Sequence, residues 1–378
     1  MKIGIITWFT GSNYGTNLQA IALQRYLRNM GYEVLIINYE VNDEVKIFSF
    51  WQKIADRKML WTRIKRQPEK YAMKRASAKF GSQILKRNCK LSESIEKQCI
   101  LTEKVQDEER LISILCQFDL LITGSDQIWN PGWYHRFYYA DYDEVKTEKI
   151  SYAPSLGVNA IAVEKQADIK RSLRKFKAVS VREKKGAELL RPLMNNEPEV
   201  VVDPTLLLDA MDWEALFPKH IQSSGEYVLS MFLTDNRFHW RASDRFAKEN
   251  GLRHVVIPYS GFSYFQKAEI KADAGLQEFL DLIRGAKYIL TDSFHVTALS
   301  IINRKQFYTF TRFREDLFTS QNERLRHILT IAGIKERLLP YGTKRIPEMY
   351  DITYKNVEKI LDKEIERSKK YLLDAIKK

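Results

Sequence analysis

Short apolar runs alternate with helix-type apolar stripes along most of this chain of 378 residues. The first apolar run covers residues 3–7 and is followed by a small, polar stretch, Gly11–Asn17. Apolar residues spaced three and four apart then predict a helix over residues 18–30, and Gly31 stands where helices commonly end. A second apolar run covers residues 34–37. Strand, helix and strand in this order are typical of a βαβ unit in a parallel sheet.

The same alternation continues toward the C-terminus and predicts an α/β protein with two Rossmann-like domains, because the chain is too long for one ordinary core. We place an N-terminal domain at residues 1–165 and a C-terminal domain at 166–345. Residues 346–378 form a predicted helix that packs back on the body. Further strands are predicted over residues 118–123, 178–182, 227–232, 254–257 and 288–291, and residues 150–157 are predicted as a strand with its exit loop.

Residues 45–90 differ from the rest in that basic side chains crowd there, with aromatic residues between them. We interpret this stretch as a helical insert in the N-terminal domain that is basic on one side. One face of this predicted helix is roughly apolar and contains Ile47, Trp51, Ile54, Trp61 and Ile64. A cationic helix bearing tryptophan is typical of an anionic membrane surface, and a solvated helix packed on the N-terminal domain is the equal alternative.

The net charge of +13 favours an anionic partner, such as a phosphorylated substrate, a membrane surface or nucleic acid. The chain shows no RRM, KH, zinc-finger or helix-turn-helix signature, so nucleic acid is not expected. No apolar run reaches the length of a spanning helix, and the N-terminus does not resemble a signal peptide. The three cysteines predict free thiols in a reducing cytoplasm, with attachment to the inner membrane face as the alternative location. The scattered histidines predict no metal site.

Two polar segments that follow predicted strands, first Gly11–Gln19 and second Gly124–Pro131, have the composition of a sugar-binding site. Small residues in the first segment let a ligand approach the backbone, and its amides can bind hydroxyls. The second segment combines an acidic and an aromatic residue, which suits a sugar bound at its hydroxyls and stacked on its apolar face. An ordinary turn is the alternative for the first, and a helix cap with a core tryptophan for the second. The predicted acceptor-binding residues are Asn13, Gly15, Asn17, Gln19, Asp126, Gln127 and Trp129.

Two further strand-end segments favour an anionic ligand and proton transfer. Arg182 directly follows a predicted strand and can bind a phosphate or carboxylate with two parallel hydrogen bonds, although a surface ion pair is the common alternative. His295 lies in the segment Thr291–Thr297, at the start of a predicted helix. The helix dipole lowers the pKa of such a histidine and a nearby phosphate raises it, so either protonation state suits proton transfer near neutral pH.

Taken in order, these segments resemble the polysaccharide pyruvyl transferase family. Two strings are specific to the resemblance, GSDQIWN at residues 124–130 and TDSFH at residues 291–295. The other matching stretches are residues 13–15, 18–19, 22–23, 151–157, 180–183, 203–207, 279–283 and 322–325.

The resemblance implies a fold like the two-lobed glycosyltransferases of GT-B type, with the active site in the cleft between the lobes. It also implies an enzyme that transfers a pyruvyl group from phosphoenolpyruvate to two hydroxyls of a sugar, forming a ketal and releasing phosphate. The acceptor would belong to a cell-surface polysaccharide or its lipid-linked precursor, and no cofactor is expected. By motif match the catalytic residues would be Arg182 and His295, with Asp292, Ser293 and Phe294 beside them in donor binding.

Two residues depart from the family pattern. Ser293 stands where some members have arginine, which implies that a second phosphate ligand comes from elsewhere in this chain. Val296 stands where many members have glycine, and its side chain narrows the space through which a ligand can approach the backbone. The alternatives are a GT-B glycosyltransferase that uses a nucleotide sugar, a nucleic-acid-binding module, and an inactive relative that binds glycans.

Overall fold

A computed structural model describes residues 1–41, 57–220, 226–314, 322–348 and 350–377, with residues 57–67 described by their backbone. The strands are β1 (Lys2–Ile6), β2 (Glu33–Ile36), β3 (Leu120–Thr123), β4 (Glu148–Ser151), β5 (Ser180–Val181), β6 (Glu199–Val200), β7 (Tyr227–Met231), β8 (Arg253–Val256), β9 (Glu269–Ile270), β10 (Tyr288–Thr291), β11 (Gln306–Phe310) and β12 (Leu338–Leu339). The α-helices are α1 (Tyr14–Asn29), α2 (Arg57–Gln98), α3 (Glu108–Leu115), α4 (Val163–Leu173), α5 (Lys184–Leu190), α6 (Ala210–Leu216), α7 (Arg237–Glu249), α8 (Leu276–Gly285), α9 (Phe294–Ile302), α10 (Asn322–Ile331) and α11 (Tyr354–Lys377).

Two parallel sheets organise these elements, which confirms the predicted α/β class. The first sheet has the order β2-β1-β3-β4 and the second the order β12-β11-β10-β7-β8-β9. Ile6 at the end of β1 lies beside Thr123 at the end of β3, and Thr291 at the end of β10 lies beside Met231 and Thr309. Because parallel strands end at the same edge, the loops that follow them gather on one side of each sheet.

Strands β5 and β6 pair with each other in parallel and lie next to the first sheet. Ala178 bridges to Ile150 of β4, and the backbone N–H of Ser151 donates to the carbonyl of Ala178 at 3.0 Å. The boundary near residue 165 stays a prediction, but this pairing attaches the strand before Arg182 to the first sheet. Arg182 therefore reaches His295 from the side of the first sheet, whereas the sequence predicted both residues on the C-terminal, donor side.

Helix α11 packs back on the body of the protein. Its side chains Val357, Leu361 and Leu372 are buried. The hydroxyl of Ser368 accepts from the backbone N–H of Val202 at 2.9 Å, and the hydroxyl of Tyr371 donates to the carbonyl of Ser151 at 3.1 Å. The apolar face of this amphipathic helix thus packs against the chain segments beside the first sheet.

Helix α2 includes most of the stretch that the sequence predicts as a basic insert. Arg87 is buried, and its guanidinium donates to the carbonyl of Pro258 and to the hydroxyl of Tyr264. The predicted membrane-facing side chains, from Ile47 to Ile64, lie outside the described side chains, so a membrane role for this stretch stays a prediction. Of the helices the structure describes, none is both long and apolar enough to cross a bilayer.

Candidate active site between the two sheets

A buried carboxylate, Asp203, joins the two residues that the sequence predicts as catalytic. One of its oxygens, Oδ2, lies 2.6 Å from Nη1 of Arg182 and 3.7 Å from Nε2 of His295. Its other oxygen accepts hydrogen bonds from the backbone N–H and the hydroxyl of Thr205, at 3.0 and 2.8 Å. These contacts fix Asp203 and place the guanidinium and the imidazole near the same carboxylate oxygen.

The surroundings of Asp203 keep it negatively charged. Burial alone would raise its pKa, but the positive charges of His295 and Arg182 and the hydrogen bonds from Thr205 hold the pKa well below its usual value. An ionised carboxylate thus lies 3.7 Å from Nε2 of His295. The arrangement therefore suits a histidine that delivers a proton to an anionic ligand.

His295 lies in the first turn of α9 and faces the first turn of α1. A Cβ atom added to Gly15 would lie 2.0 Å from Nδ1 of His295, so the ring rests against the backbone of that glycine. The side chain of Asn13 caps α1 by accepting from the N–H of Gly15 at 3.0 Å. Two helix N-termini thus meet at the imidazole, and each adds the positive end of its dipole to this place.

Arg182 offers hydrogen-bond donors that the protein itself does not use. Its side chain is only 2% exposed, and its guanidinium lies over the ring of Phe294 at 4.5 Å. Nη2 lies 3.7 Å from the carboxylate of Asp126, beyond hydrogen-bonding distance. Nε and Nη2 make no hydrogen bond within the described part of the chain. A buried guanidinium with two unused groups is suited to bind an anionic ligand.

Two more arginines approach Arg182 from the side of the second sheet. Arg312, after β11, donates to the carbonyl of Asp292 at 2.7 Å. Arg324, in α10, is buried, and its burial together with the repulsion of Arg182 and Arg312 lowers its pKa to about 9. The charges of Arg182 and Arg312 thus act on Arg324, which groups three cations near this part of the site.

The other predicted donor-side residues differ in what they contact. The ring of Phe294 lies against the guanidinium of Arg182, whereas Asp292 is fully buried and accepts hydrogen bonds from residues of its own lobe. Its carboxylate accepts from the N–H of Leu233 at 2.6 Å and from the hydroxyl of Thr234 at 2.7 Å. Ser293 is buried just before α9. Asp292 therefore holds two strand ends together, and the contact with a donor that the sequence predicts for it is not available in this arrangement.

The buried histidine beside Asp292 leads to a prediction about stability. Burial lowers the pKa of His239 to about 4, although the nearby carboxylate of Asp292 opposes the shift. Between pH 6.5 and pH 4 the unfolded chain then binds more protons than the folded one, so acidification should destabilise the fold by about 3 kcal/mol through this group. Urea unfolding at pH 7 and pH 4.5 should show a smaller loss in His239→Asn than in the wild type. Equal losses in both proteins would contradict the assignment.

Three predicted acceptor-side residues on α1 mostly hold local structure. Asn13 is the helix cap described above. Gln19 is fully buried: its Nε2 donates to the carbonyl of Trp8 at 2.7 Å, and its Oε1 accepts from the N–H of Ser125 at 3.2 Å. Asn17 is buried with its Oδ1 making no hydrogen bond among the described residues. Gln19 therefore acts as a brace between the loops that follow β1 and β3.

Asp126 lies beside Arg182, whereas Trp129 packs in the core. Asp126 has a left-handed φ of 58°, and its Oδ2 accepts from the hydroxyl of Thr16 at 2.6 Å. This strained conformation directs its carboxylate toward Arg182. Trp129 is 1% exposed and stacks on Tyr139 at 5.0 Å, so its ring faces are covered by protein. The core alternative thus describes Trp129, and stacking on a sugar is not available to it.

Gln127 is partly buried and packs against the loop that follows β4. A Cβ atom added to Gly157 would lie 1.9 Å from the Nε2 of Gln127. That Nε2 makes no hydrogen bond among the described residues. Gly157 also has a left-handed φ of 60°. A glycine is thus required beside this buried amide, and the contact of Gln127 with an acceptor stays a prediction.

The residues that the sequence did not single out for this site are Asp203, Thr16, Arg312 and Arg324. A signal existed for Asp203, because Asp203–Thr205 follows an apolar run and belongs to the stretches on which the resemblance rests. Arg324 likewise lies in a matching stretch, residues 322–325. Arg312 had no such signal, since only the folded chain brings the end of β11 next to β10.

Comparison by sequence identifies one family. The family model described as polysaccharide pyruvyl transferase matches residues 13–312, a range that contains Gly15, Arg182, Asp203 and His295. No curated protein matches the chain significantly by sequence.

Comparison by structure finds two-lobed sugar-nucleotide enzymes. The fold is similar to that of Anabaena Alr3699/HepE in complex with UDP and glucose, with a TM-score of 0.52 and 7% identity over 100% of this chain and 99% of that chain. A UDP-GlcNAc 2-epimerase from Methanocaldococcus jannaschii gives a TM-score of 0.50 and 12% identity over 96% of this chain and 92% of that chain. At such identities the similarity shows the fold alone, and that fold is of the GT-B type.

Proposed function

This chain belongs to the polysaccharide pyruvyl transferase family, and from that membership we propose that it transfers a pyruvyl group from phosphoenolpyruvate to a sugar. The pyruvyl carbon becomes bonded to two hydroxyls of the same sugar, and inorganic phosphate leaves. The acceptor is a sugar of a cell-surface polysaccharide or of its lipid-linked precursor. The reaction as proposed uses no cofactor.

The reaction moves two protons. Phosphoenolpyruvate accepts a proton at C3, which leaves C2 electron-poor, and the first sugar hydroxyl adds to C2 and loses its proton. The second hydroxyl then forms the other C2–O bond while the C2–O bond to phosphate breaks, and its proton leaves with the phosphate. One proton thus ends in the new methyl group and one on phosphate. The reaction needs a proton donor, a proton acceptor and cations that hold a highly anionic donor.

The observation that carries the proposal is the group Arg182–Asp203–His295, with unused guanidinium donors next to a histidine at two helix N-termini. We assign the phosphate or carboxylate of the donor to Arg182, with Arg312 and Arg324 supplying further positive charge. We assign to His295 the delivery of a proton to C3 or to the departing phosphate. Asp203, 3.7 Å from the Nε2 of His295, is a positioning residue for the imidazole.

The acceptor would enter from the side of the first sheet. Asp126 lies within 3.7 Å of Arg182 and is the carboxylate best placed to accept a proton from the attacking hydroxyl. Its hydrogen bond from Thr16 fixes its orientation before the substrate arrives.

The test of this proposal is incubation with phosphoenolpyruvate and a panel of sugars, read by mass spectrometry for the mass of the ketal and by release of phosphate. Parallel reactions with nucleotide sugars, read for release of nucleoside diphosphate, test the glycosyltransferase alternative. Arg182→Lys keeps the charge and loses the paired donor geometry, so we expect KM for phosphoenolpyruvate to rise by roughly tenfold. Nucleoside diphosphate release without phosphate release would overturn the proposal.

A further inference from the structure

Two tryptophans, one exposed and one partly buried, lie at the edge of the first sheet where its strands end. Trp8 follows β1 and Trp133 follows the loop after β3, and their ring centroids are 6.0 Å apart at an angle of 37°. Trp133 is 46% exposed, whereas Trp8 is partly buried with Tyr138 against its edge. We call Trp8, Trp133 and Tyr138 the aromatic platform. An exposed indole contributes little to the core, and such surfaces in clefts commonly bind ligands.

The aromatic platform is tied on both sides to the neighbours of Asp126. The indole N–H of Trp133 donates to the carbonyl of Gln127 at 3.1 Å. The carbonyl of Trp8 accepts from Gln19, which in turn accepts from the N–H of Ser125. Asp126 is the residue between Ser125 and Gln127, and consecutive Cα atoms are about 3.8 Å apart. The platform is therefore linked through hydrogen bonds to the residues on both sides of Asp126, on the acceptor side of the site.

We propose that the aromatic platform binds a second sugar ring of the acceptor, next to the ring that receives the pyruvyl group. This proposal rests on the proposed function, because it takes the reacting ring to lie between Asp126 and His295. The bound ring is an uncharged pyranose that lays its apolar C–H face on the indole of Trp133. The preferred acceptor is accordingly an oligosaccharide of at least two rings rather than a monosaccharide.

The chemistry of the platform favours a sugar over an anionic ligand. The faces of its rings carry negative electrostatic potential, which suits the slightly positive C–H groups of a pyranose and disfavours phosphate. The nitrogen of Trp133 is already used in its hydrogen bond to Gln127, so the ring is held rigidly and presents only its apolar surface. A rigid indole loses little conformational entropy when a ligand binds.

Binding can be tested without phosphoenolpyruvate, by saturation-transfer NMR with lactose, cellobiose and mannobiose and their monosaccharides. We expect the wild type to bind at least one disaccharide more tightly than its monosaccharides. Trp133→Ala should weaken that binding by roughly tenfold, and Trp133→Phe should restore most of it. Tyr350→Ala removes another strongly exposed aromatic side chain and is the matched control that should bind like the wild type. Thermal unfolding of all variants checks that they are folded.

The kinetic counterpart is a rise in KM for the disaccharide in Trp133→Ala that exceeds any rise in KM for phosphoenolpyruvate. Wild-type disaccharide binding by Trp133→Ala, or binding of no disaccharide by the wild type, would overturn the platform proposal. If the wild type binds disaccharides through Trp133 but transfers no pyruvyl group, the proposed function fails and the platform stands. If it transfers the pyruvyl group and Trp133→Ala uses disaccharides equally well, the platform fails alone.

Discussion

Replacement of His295 by alanine should lower kcat for pyruvyl transfer by roughly 10²- to 10⁴-fold, the usual range for loss of a positioned proton donor. The reason is the neighbourhood of the ring. Asp203, whose pKa is held low by His295, Arg182 and Thr205, lies 3.7 Å from its Nε2 and positions the ring. Alanine removes the proton-donating imidazole and leaves in place the arginines that are proposed to bind phosphoenolpyruvate. Release of phosphate at saturating phosphoenolpyruvate and acceptor measures kcat, and we expect the change in KM for phosphoenolpyruvate to be much smaller.

The matched control for this variant is His220→Ala. His220 is an exposed histidine whose ring contacts the carbonyl of Pro218, away from the strand ends that form the site. It should retain the kcat of the wild type. If His295→Ala also retained that rate, the assignment of the proton donor would be wrong. The same assay run in D₂O should place one deuterium in the methyl group of the ketal, because C3 takes its new hydrogen from an exchangeable source.

The fold could be predicted because its signals are local. A buried parallel strand appears as a short apolar run, and a helix on such a sheet as a stripe with a period of 3.6 residues. Both are visible at residues 3–37, where β1, α1 and β2 lie as expected. The position of β5 was less accessible, since it depends on the pairing of Ser180 with Glu199 of β6 and on the bridge from Ala178 to Ile150 of the first sheet.

The structure brings several of the predicted site residues together, whereas their roles stay predictions. Strand ends in a parallel sheet share one edge, so Arg182, Asp126 and His295 were expected near a common cleft. The sequence does not show which side of a loop faces the cleft. Asp292 and His295 are three residues apart, yet one side chain binds backbone groups and the other faces Asp203. Trp129 and Trp133 are four residues apart, and only Trp133 faces solvent.

Replacement of Gly15 by alanine should lower kcat by roughly 10²-fold although Gly15 has no side chain and takes no part in proton transfer. The new Cβ would lie 2.0 Å from Nδ1 of His295, a distance that real Cβ contacts do not reach. The imidazole must therefore move by about 1 Å or more, and a displacement of this size can cost 10²-fold in rate. Alanine is also the better helix former, so α1 should not unfold. The kcat for phosphate release and the thermal unfolding midpoint should be measured on the same samples.

A second glycine provides the comparison that separates this contact from a general effect of alanine. Gly81 lies within α2, and a Cβ added there meets no atom within 4 Å. Gly81→Ala should leave kcat at the wild-type value and should stabilise the protein slightly, since alanine loses less conformational freedom than glycine in a helix. A wild-type kcat in Gly15→Ala would mean that the position of the His295 ring does not control the reaction. A rate loss in Gly15→Ala with an unchanged unfolding midpoint would tie the reaction to the place where the two helix N-termini meet.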